Sequence, residues 1–217
     1  MVNYLKVLGF MAMMIAVLFG SAGRLDLPFV WATVGIYVAF LTINVFLIDP
    51  SLLQERLRPG PGGRDRSERA FLIPVIVMQW IIAGLDVGRF HWSDTVPAYA
   101  QIASLAVFAL GLSLTGWAMN ANRFFSSVVR IQSDRGHHLI TGGPYRYVRH
   151  PGYLGGMLAS VGGTLALGSW WSLAPTAVFV VFFCRRIWIE DRFLHEQLAG
   201  CREYAQSVRY RVLPGIW

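Results

Sequence analysis

The sequence is poor in charged residues and in cysteine. Only 14% of its 217 residues are charged, while 55% are hydrophobic and the mean hydropathy is +0.48. Soluble domains carry about a quarter charged residues, so the composition excludes a soluble catalytic domain and predicts an integral membrane protein. The two cysteines, Cys184 and Cys201, form no Cys-x-x-Cys pair, and we interpret both as free thiols without a disulfide or zinc role.

Several common catalytic motifs are also missing. There is no Gly-x-Ser-x-Gly nucleophile motif and no Gly-x-Gly-x-x-Gly dinucleotide fingerprint. His137, His138 and His150 lack the i,i+4 spacing of a helical metal site, and no cysteine accompanies them. These absences argue against a serine hydrolase, a soluble type of dinucleotide enzyme and a bound metal.

What the sequence does contain is a series of uncharged windows. They cover residues 7–23, 27–48, 70–85, 95–122 and 152–184. A membrane-spanning helix needs about 20 apolar residues, so the fifth window is too long for one helix, and Gly168-Ser169 supplies a turn in its middle. We therefore predict an all-α, polytopic fold with about six spans, near 4–23, 28–48, 71–87, 98–119, 152–168 and 171–188.

The cations gather on one side of these predicted spans. Of the 19 Lys and Arg residues, only Arg24 and Arg89 fall in loops assigned to the other side. The positive-inside rule then predicts that both termini are cytoplasmic, and we expect an inner cell membrane as the location. Because the cations are spread over loops and form no continuous patch, no nucleic-acid partner is predicted.

The segments outside the spans complete the predicted organisation. Residues 50–70 mix Pro-Gly-Pro-Gly-Gly with arginines and are interpreted as a flexible basic connector. The tail over 186–208 has apolar residues at roughly helical spacing and is predicted to form a cytosolic amphipathic helix. We divide the chain into four N-terminal spans, 1–119, and a region with the candidate chemistry, 120–217.

Two polar clusters flank the last uncharged window. Residues 142–156 read Gly-Gly-Pro-Tyr-Arg-Tyr-Val-Arg-His-Pro-Gly-Tyr-Leu-Gly-Gly, and residues 185–191 read Arg-Arg-Ile-Trp-Ile-Glu-Asp. A helical hairpin between them would bring both clusters to one membrane face. Such a set suits a zwitterionic or cationic cofactor, because carboxylates accept from ribose hydroxyls and tyrosine faces attract a sulfonium.

Residues 143–155, together with Arg186-x-x-x-Glu190-Asp191, Glu203-Tyr204 and 212–215, resemble the isoprenylcysteine carboxyl methyltransferase family of membrane enzymes. The likeness runs from about residue 120 onward, and its motifs extend to phospholipid methyltransferases and, with variations, membrane sterol reductases. It implies that S-adenosylmethionine is the cofactor. The cofactor-binding residues that it implies are Tyr145, Tyr147, Arg149, His150, Pro151, Tyr153, Gly155, Glu190 and Asp191. Family members commonly have two glutamates where this sequence has Glu190-Asp191.

A carboxylate acceptor would need no general base, because it is already ionised at neutral pH. Arg186 lies one helical turn before Glu190, and we predict that these two residues form the catalytic pair, with Arg186 holding the acceptor carboxylate. An equally open interpretation is that Arg186 pairs with Glu190 or reaches lipid phosphate. The expected substrate is a lipophilic or lipidated carboxylate such as a prenylcysteine-like group, in contact with membrane lipids. Phospholipid amine or thiol methylation, a membrane NADPH-dependent reductase and a non-catalytic membrane protein remain alternatives.

Overall fold

The computed structural model describes residues 2–62 and 68–217, and every regular element in these two ranges is a helix. The predicted all-helical fold is therefore confirmed. The elements are α1 (Val2–Ala22), α2 (Pro28–Leu47), α3 (Pro50–Leu57), α4 (Glu68–Leu85) with a π-helical turn (Asp86–Phe90), α5 (Ala98–Ala121), α6 (Pro151–Ala166), α7 (Leu173–Gln197) and α8 (Cys201–Ser207).

Within the two described ranges, four helical segments are long and apolar enough to cross a membrane. They are Leu5–Ala22, Pro28–Leu47, Ala70–Phe90 and Ala98–Ala121. These coincide with the first four predicted spans. Helix α6 has only 16 residues, short of the about 20 that a perpendicular span requires, so the count of six spans stays a prediction.

A buried carboxylate ties the α6–α7 turn to the end of α4. Asp86, in the π-helical turn, is fully buried, and its Oδ2 accepts hydrogen bonds of 2.5 Å from the hydroxyls of Ser93 and Ser169. Gly168 has φ +86°, a left-handed conformation that glycine adopts without strain, and it reverses the chain as the sequence predicts. The hairpin is therefore fastened at the end opposite to the two polar clusters.

Helices α5 and α6 approach each other closely through glycine. A Cβ atom on Gly155 would lie 2.5 Å from Thr115 Oγ1 and 2.6 Å from the backbone oxygen of Gly111. A Cβ atom on Gly111 would likewise collide with the backbone of α6. The small residues of the hairpin predict this kind of contact. This contact holds the start of α6 against α5, the span that precedes the loop over 122–150.

Two segments differ from their predicted form. The sequence predicts one tail helix over 186–208, but α7 continues without a break to Gln197, and Gly200, at φ +78°, turns the chain into the separate helix α8. Within residues 50–70, the predicted flexible connector begins instead with helix α3. Asp49 caps this helix by accepting from the backbone of Ser51 at 2.7 Å, and Pro50 stands in its first turn. Residues 63–67 of the predicted connector lie outside the described ranges.

Candidate active site

The two polar clusters meet at one end of the bundle. Pro144 and Tyr145 are buried in a short 3-10 turn, Gly143–Arg146, and Pro151 begins α6 directly after His150. Proline suits the first helical position because no intrahelical donor is needed there. The start of α6 therefore faces the last turns of α7, as the hairpin prediction requires.

Asp191 is the centre of an ion network. Its Oδ1 accepts from Arg149 Nε at 2.9 Å, its Oδ2 accepts from Arg149 Nη2 at 3.0 Å and from Arg211 Nε at 2.9 Å, and His150 Nε2 lies 3.1 Å from Oδ1. Burial alone would raise the pKa of the Asp191 carboxyl, but the hydrogen bonds from His150 and Arg149 outweigh it and hold that pKa well below its usual range. Asp191 is therefore an ionised anchor that joins α7 to residues from two other parts of the chain.

The chain after α8 closes over this network through backbone contacts. The amide of Arg149 donates to the carbonyl of Tyr210 at 3.0 Å, and the amide of His150 donates to the carbonyl of Arg211 at 2.8 Å. The guanidinium of Arg149 also donates to the carbonyls of residues 208 and 209, at 2.9 and 2.7 Å. The tail thus forms the outer side of the site. The sequence suggests a tail helix over 186–208 for this position, and the contacts come from residues 208–211.

Tyr153 links two residues of α7. Its hydroxyl donates to Glu190 Oε2 at 2.6 Å and accepts from Arg186 Nε at 2.9 Å. Arg186 Nη2 donates to the carbonyl of Ser127 at 2.8 Å, and the Arg186 side chain has 0% exposure. The structure therefore joins Tyr153 and Glu190 as predicted, and it places Arg186 behind the tyrosine.

Two tyrosines connect α8 and the 3-10 turn to the end of α5 through hydrogen bonds. The hydroxyl of Tyr204, on α8, donates to the carbonyl of Tyr145 at 2.6 Å. The hydroxyl of Tyr145 reaches the carbonyl of Ala118, at the end of α5, at 3.4 Å. Burial raises the pKa of both phenols, so both stay neutral. The polar atoms of Tyr145 are therefore engaged mainly in structural contacts.

A cavity of about 170 Å³, which we call the site cavity, opens among these residues. The predicted residues that line it are Tyr145, Arg149, His150, Tyr153, Glu190 and Asp191. Four predicted residues do not line it: Tyr147 is 66% exposed, Gly155 lies in the α5–α6 contact, Pro151 begins α6, and Arg186 lies behind Tyr153.

The opposite wall comes from the loop before residue 142, and no motif in the sequence indicates it. The ring of His137 lies 4.5 Å from the buried ring of Phe124, centroid to centroid, and its Nδ1 accepts from the amide of Gln132 at 3.2 Å. Burial, with nearby charge from His138 and the arginines, lowers the pKa of His137 to about 4. His137 is therefore a neutral imidazole at physiological pH.

A second, mainly apolar cavity of about 350 Å³, which we call the bundle cavity, lies inside the helix bundle. Residues from all of the helices α1 to α7 line it. Among the described residues, three line both cavities: Arg56, Thr115 and Gly156. We call these three residues the neck. A cavity with many charged side chains and a mainly apolar cavity therefore adjoin each other at the neck.

Comparisons with known proteins agree with this geometry. The phospholipid methyltransferase family matches residues 99–199. A probable protein-S-isoprenylcysteine O-methyltransferase from Oryza sativa subsp. indica is 41% identical over 92 residues, 42% of this chain and 48% of that protein. The protein-S-isoprenylcysteine O-methyltransferase of Schizosaccharomyces pombe is 36% identical over 96 residues, 43% of this chain and 41% of its own.

One relative aligns over a longer stretch. The cobalt-zinc-cadmium resistance protein CzcN of Cupriavidus metallidurans is 32% identical over 157 residues, which is 67% of each chain. The chain belongs to the isoprenylcysteine carboxyl methyltransferase family. The predicted resemblance is thus confirmed, although the chain spans only about half the length of the plant and yeast members that it matches.

The fold of the family is also present. A solved structure of the eukaryotic intramembrane Ras methyltransferase, isoprenylcysteine carboxyl methyltransferase, superposes with a TM-score of 0.63 at 21% identity, covering 95% of this chain and 74% of that one. The superposition covers 95% of the chain and so extends to the N-terminal helices, which precede the matched range 99–199. Both polar clusters lie within the matched range 99–199, and the neck residue Arg56 lies well before it.

Proposed function

We propose that the protein transfers a methyl group from S-adenosylmethionine to the carboxylate of a lipophilic acceptor, such as a prenylcysteine-like group. The observation that supports this proposal is the pair of adjoining cavities. The site cavity is lined by charged side chains and aromatic rings and opens at the end of the bundle that carries the cationic loops, whereas the bundle cavity is mainly apolar and lies among the membrane helices. A polar methyl donor and a lipid tail each need one of these environments.

The residues of the site cavity fit the proposed donor. Glu190 presents a carboxylate that can accept from ribose hydroxyls or an amino group, and Tyr153 presents an aromatic ring beside it. Tyrosine faces attract a sulfonium through their ring quadrupole. His137 and Phe124 supply a neutral, aromatic wall opposite these residues. These four residues, with His150, would hold the donor.

The chemistry requires alignment more than proton transfer. When bound, S-adenosylmethionine supplies the methyl group: a carboxylate oxygen of the acceptor forms the new C–O bond, the S–C bond breaks, and its electron pair stays on sulfur. No proton has to move, because the carboxylate is already ionised. The protein's contribution is to hold the acceptor in line and to exclude water. The apolar bundle cavity would support both tasks by burying the lipid tail.

Arg186 and Tyr153 act in this proposal as positioning residues for Glu190. The fully buried guanidinium donates to the Tyr153 hydroxyl, which donates to Glu190 in turn. Charge-assisted donors strengthen such a chain, because each hydrogen bond polarises the next. The Glu190 carboxylate is therefore held in place at the wall of the site cavity.

Binding and methyl transfer test the proposal together. Calorimetry on the purified protein should show micromolar binding of S-adenosylmethionine and none of NADPH. Membranes incubated with radiolabelled S-adenosylmethionine and N-acetyl-S-prenylcysteine should form a labelled ester that releases methanol in base. NADPH binding without S-adenosylmethionine binding would favour a reductase instead. Label in a base-stable product would indicate an amine or thiol acceptor.

A further inference from the structure

Arg56 occupies the neck between the two cavities. It lies in the last turn of α3, is half-buried, and forms part of the wall of both the site cavity and the bundle cavity. The other two neck residues, Thr115 and Gly156, are uncharged. A ligand with its polar head in one cavity and its apolar tail in the other would therefore pass this guanidinium.

The position of Arg56 is fixed from two directions. Its guanidinium carbon lies 5.0 Å from the ring centroid of Phe125, within the range of a cation–π contact. The Phe125 ring lies over Gly152, where even a methyl group would collide with it. On the side of α3, Glu55 forms a buried ion pair with Arg130, with 2.8 Å between Oε2 and Nη2. The helix and the loop thus hold the guanidinium at the neck.

Arg186, which the sequence predicts to hold the acceptor carboxylate, has a different environment from Arg56. It lines neither cavity, and its Nε and Nη2 donate to Tyr153 and to the carbonyl of Ser127. Its full burial places it behind the wall that the acceptor would contact. Arg56, in contrast, forms part of that wall at the point where a lipid head would meet a methyl donor.

We propose that Arg56 binds the anionic head of the methyl acceptor through charge-assisted hydrogen bonds. This inference rests on the proposed function and assigns the residue that selects a carboxylate. An ionised carboxylate gains from the planar guanidinium, whereas a protonated amine would be repelled by it. Because Arg56 precedes the matched range 99–199, the choice of acceptor would depend on the N-terminal half of the chain.

Two ligands that differ in a single charge test this inference. N-acetyl-S-prenylcysteine serves as acceptor, and its carboxamide serves as an uncharged competitive inhibitor. Arg56→Gln should raise the KM for the carboxylate about tenfold to a hundredfold, the range for losing a charge-assisted hydrogen bond. The Ki of the carboxamide and the Kd of S-adenosylmethionine should not change. Arg56→Lys, which keeps the charge but loses the planar fork, should give an intermediate KM.

A matched control lies two residues further on. Arg58 is exposed and lines neither cavity, so Arg58→Gln should keep the wild-type KM. A wild-type KM in Arg56→Gln would overturn the inference, and so would equal weakening of the carboxylate and the carboxamide. If Arg56→Gln does not fold, Arg56→Lys decides, and a wild-type KM there counts against the inference. A wild-type protein that neither binds S-adenosylmethionine nor methylates the acceptor would instead overturn the proposed function itself.

Discussion

The two acidic residues near the end of α7 have different surroundings although they are neighbours in sequence. Glu190 faces the site cavity and contacts Tyr153, whereas Asp191 gathers Arg149, His150 and Arg211. Successive residues on a helix point about 100° apart, so a pair of this kind serves two environments. The shorter side chain at position 191 is well suited to an ion network held close to the helix.

Asp191→Asn should destabilise the protein and change its response to acid. Removing the charge leaves Arg149 buried without its partner, which typically costs about 3–5 kcal/mol of unfolding free energy. Because folding lowers the pKa of the Asp191 carboxyl, its stabilising contribution is present above the unfolded pKa of about 4 and is lost as the pH falls below it.

Thermal unfolding in detergent between pH 3 and 8 measures both effects. Wild type should lose stability steeply at the acid end, and Asp191→Asn should show a flatter acid limb and a lower midpoint at pH 7. Asp94→Asn changes an exposed carboxylate and serves as the control. Equal acid limbs in wild type and Asp191→Asn would contradict the assigned role of Asp191.

Glu190→Gln should weaken the binding of S-adenosylmethionine about tenfold or more, because a neutral amide accepts more weakly from hydroxyl donors than a carboxylate does. Isothermal titration calorimetry on the purified variant gives the Kd. Glu196→Gln changes an exposed glutamate on the same helix and provides the control. An unchanged Kd in Glu190→Gln would remove this residue from the donor site.

At the scale of elements, the α5–α6 contact positions the site because it holds the start of α6 against α5. The family resemblance predicts that Gly155 contacts the cofactor, and the structure places it between the two helices instead of at the cavity. In a sequence, a glycine near polar side chains is compatible with cofactor binding and also with close packing of two helices. Both require space close to the backbone. The rotation of α6 about its axis decides which of these two roles Gly155 has.

The direct effect of Gly155→Ala should therefore be on the stability of the folded protein and not on donor binding. The added methyl group would lie 2.5 Å from Thr115 Oγ1 and 2.6 Å from a backbone oxygen, and overpacking of this kind typically costs about 1–3 kcal/mol. Gly35→Ala, on α2, has nothing within 4 Å of the added carbon and should be neutral or stabilising. Thermal unfolding of both variants in the same detergent gives the two midpoints for comparison. Equal midpoints would contradict close packing at Gly155.

The sequence predicts the helices of this protein better than it predicts how they join. Hydrophobic windows locate α1, α2, α4 and α5, because a run of about 20 apolar residues rarely forms anything except a membrane helix. The residues of the 142–156 motif indicate the site because their chemistry is concentrated in a short stretch. The loop wall at Phe124 and the position of Arg56 could not be predicted, since both depend on contacts between segments far apart in the chain.

At the scale of the whole molecule, the arrangement of charge predicts orientation. The 120–151 loop and the site should face the cytoplasm, and the turn near residues 88–97 should face the opposite side. Single-cysteine variants Arg146→Cys and Asp94→Cys, both at exposed positions, can be made in a background with Cys184 and Cys201 replaced by Ser.

A membrane-impermeant maleimide applied to intact cells should label Asp94→Cys and not Arg146→Cys, and disruption of the cells should expose both. The background protein without introduced cysteines gives the level of unspecific labelling. Labelling of Arg146→Cys in intact cells would reverse the predicted orientation of the protein.

The backbone pairing of residues 149–150 with 210–211 has a consequence for the synthesis of the protein. The ribosome makes residues 210 and 211 after α1 to α8, so the carboxylate of Asp191 gains its contact with Arg211 later than its contacts with Arg149 and His150. Until then the emerging polypeptide carries an open, unfinished donor pocket. We therefore expect the proposed activity to begin only after residues 210 and 211 have been made, later than the helices that precede them.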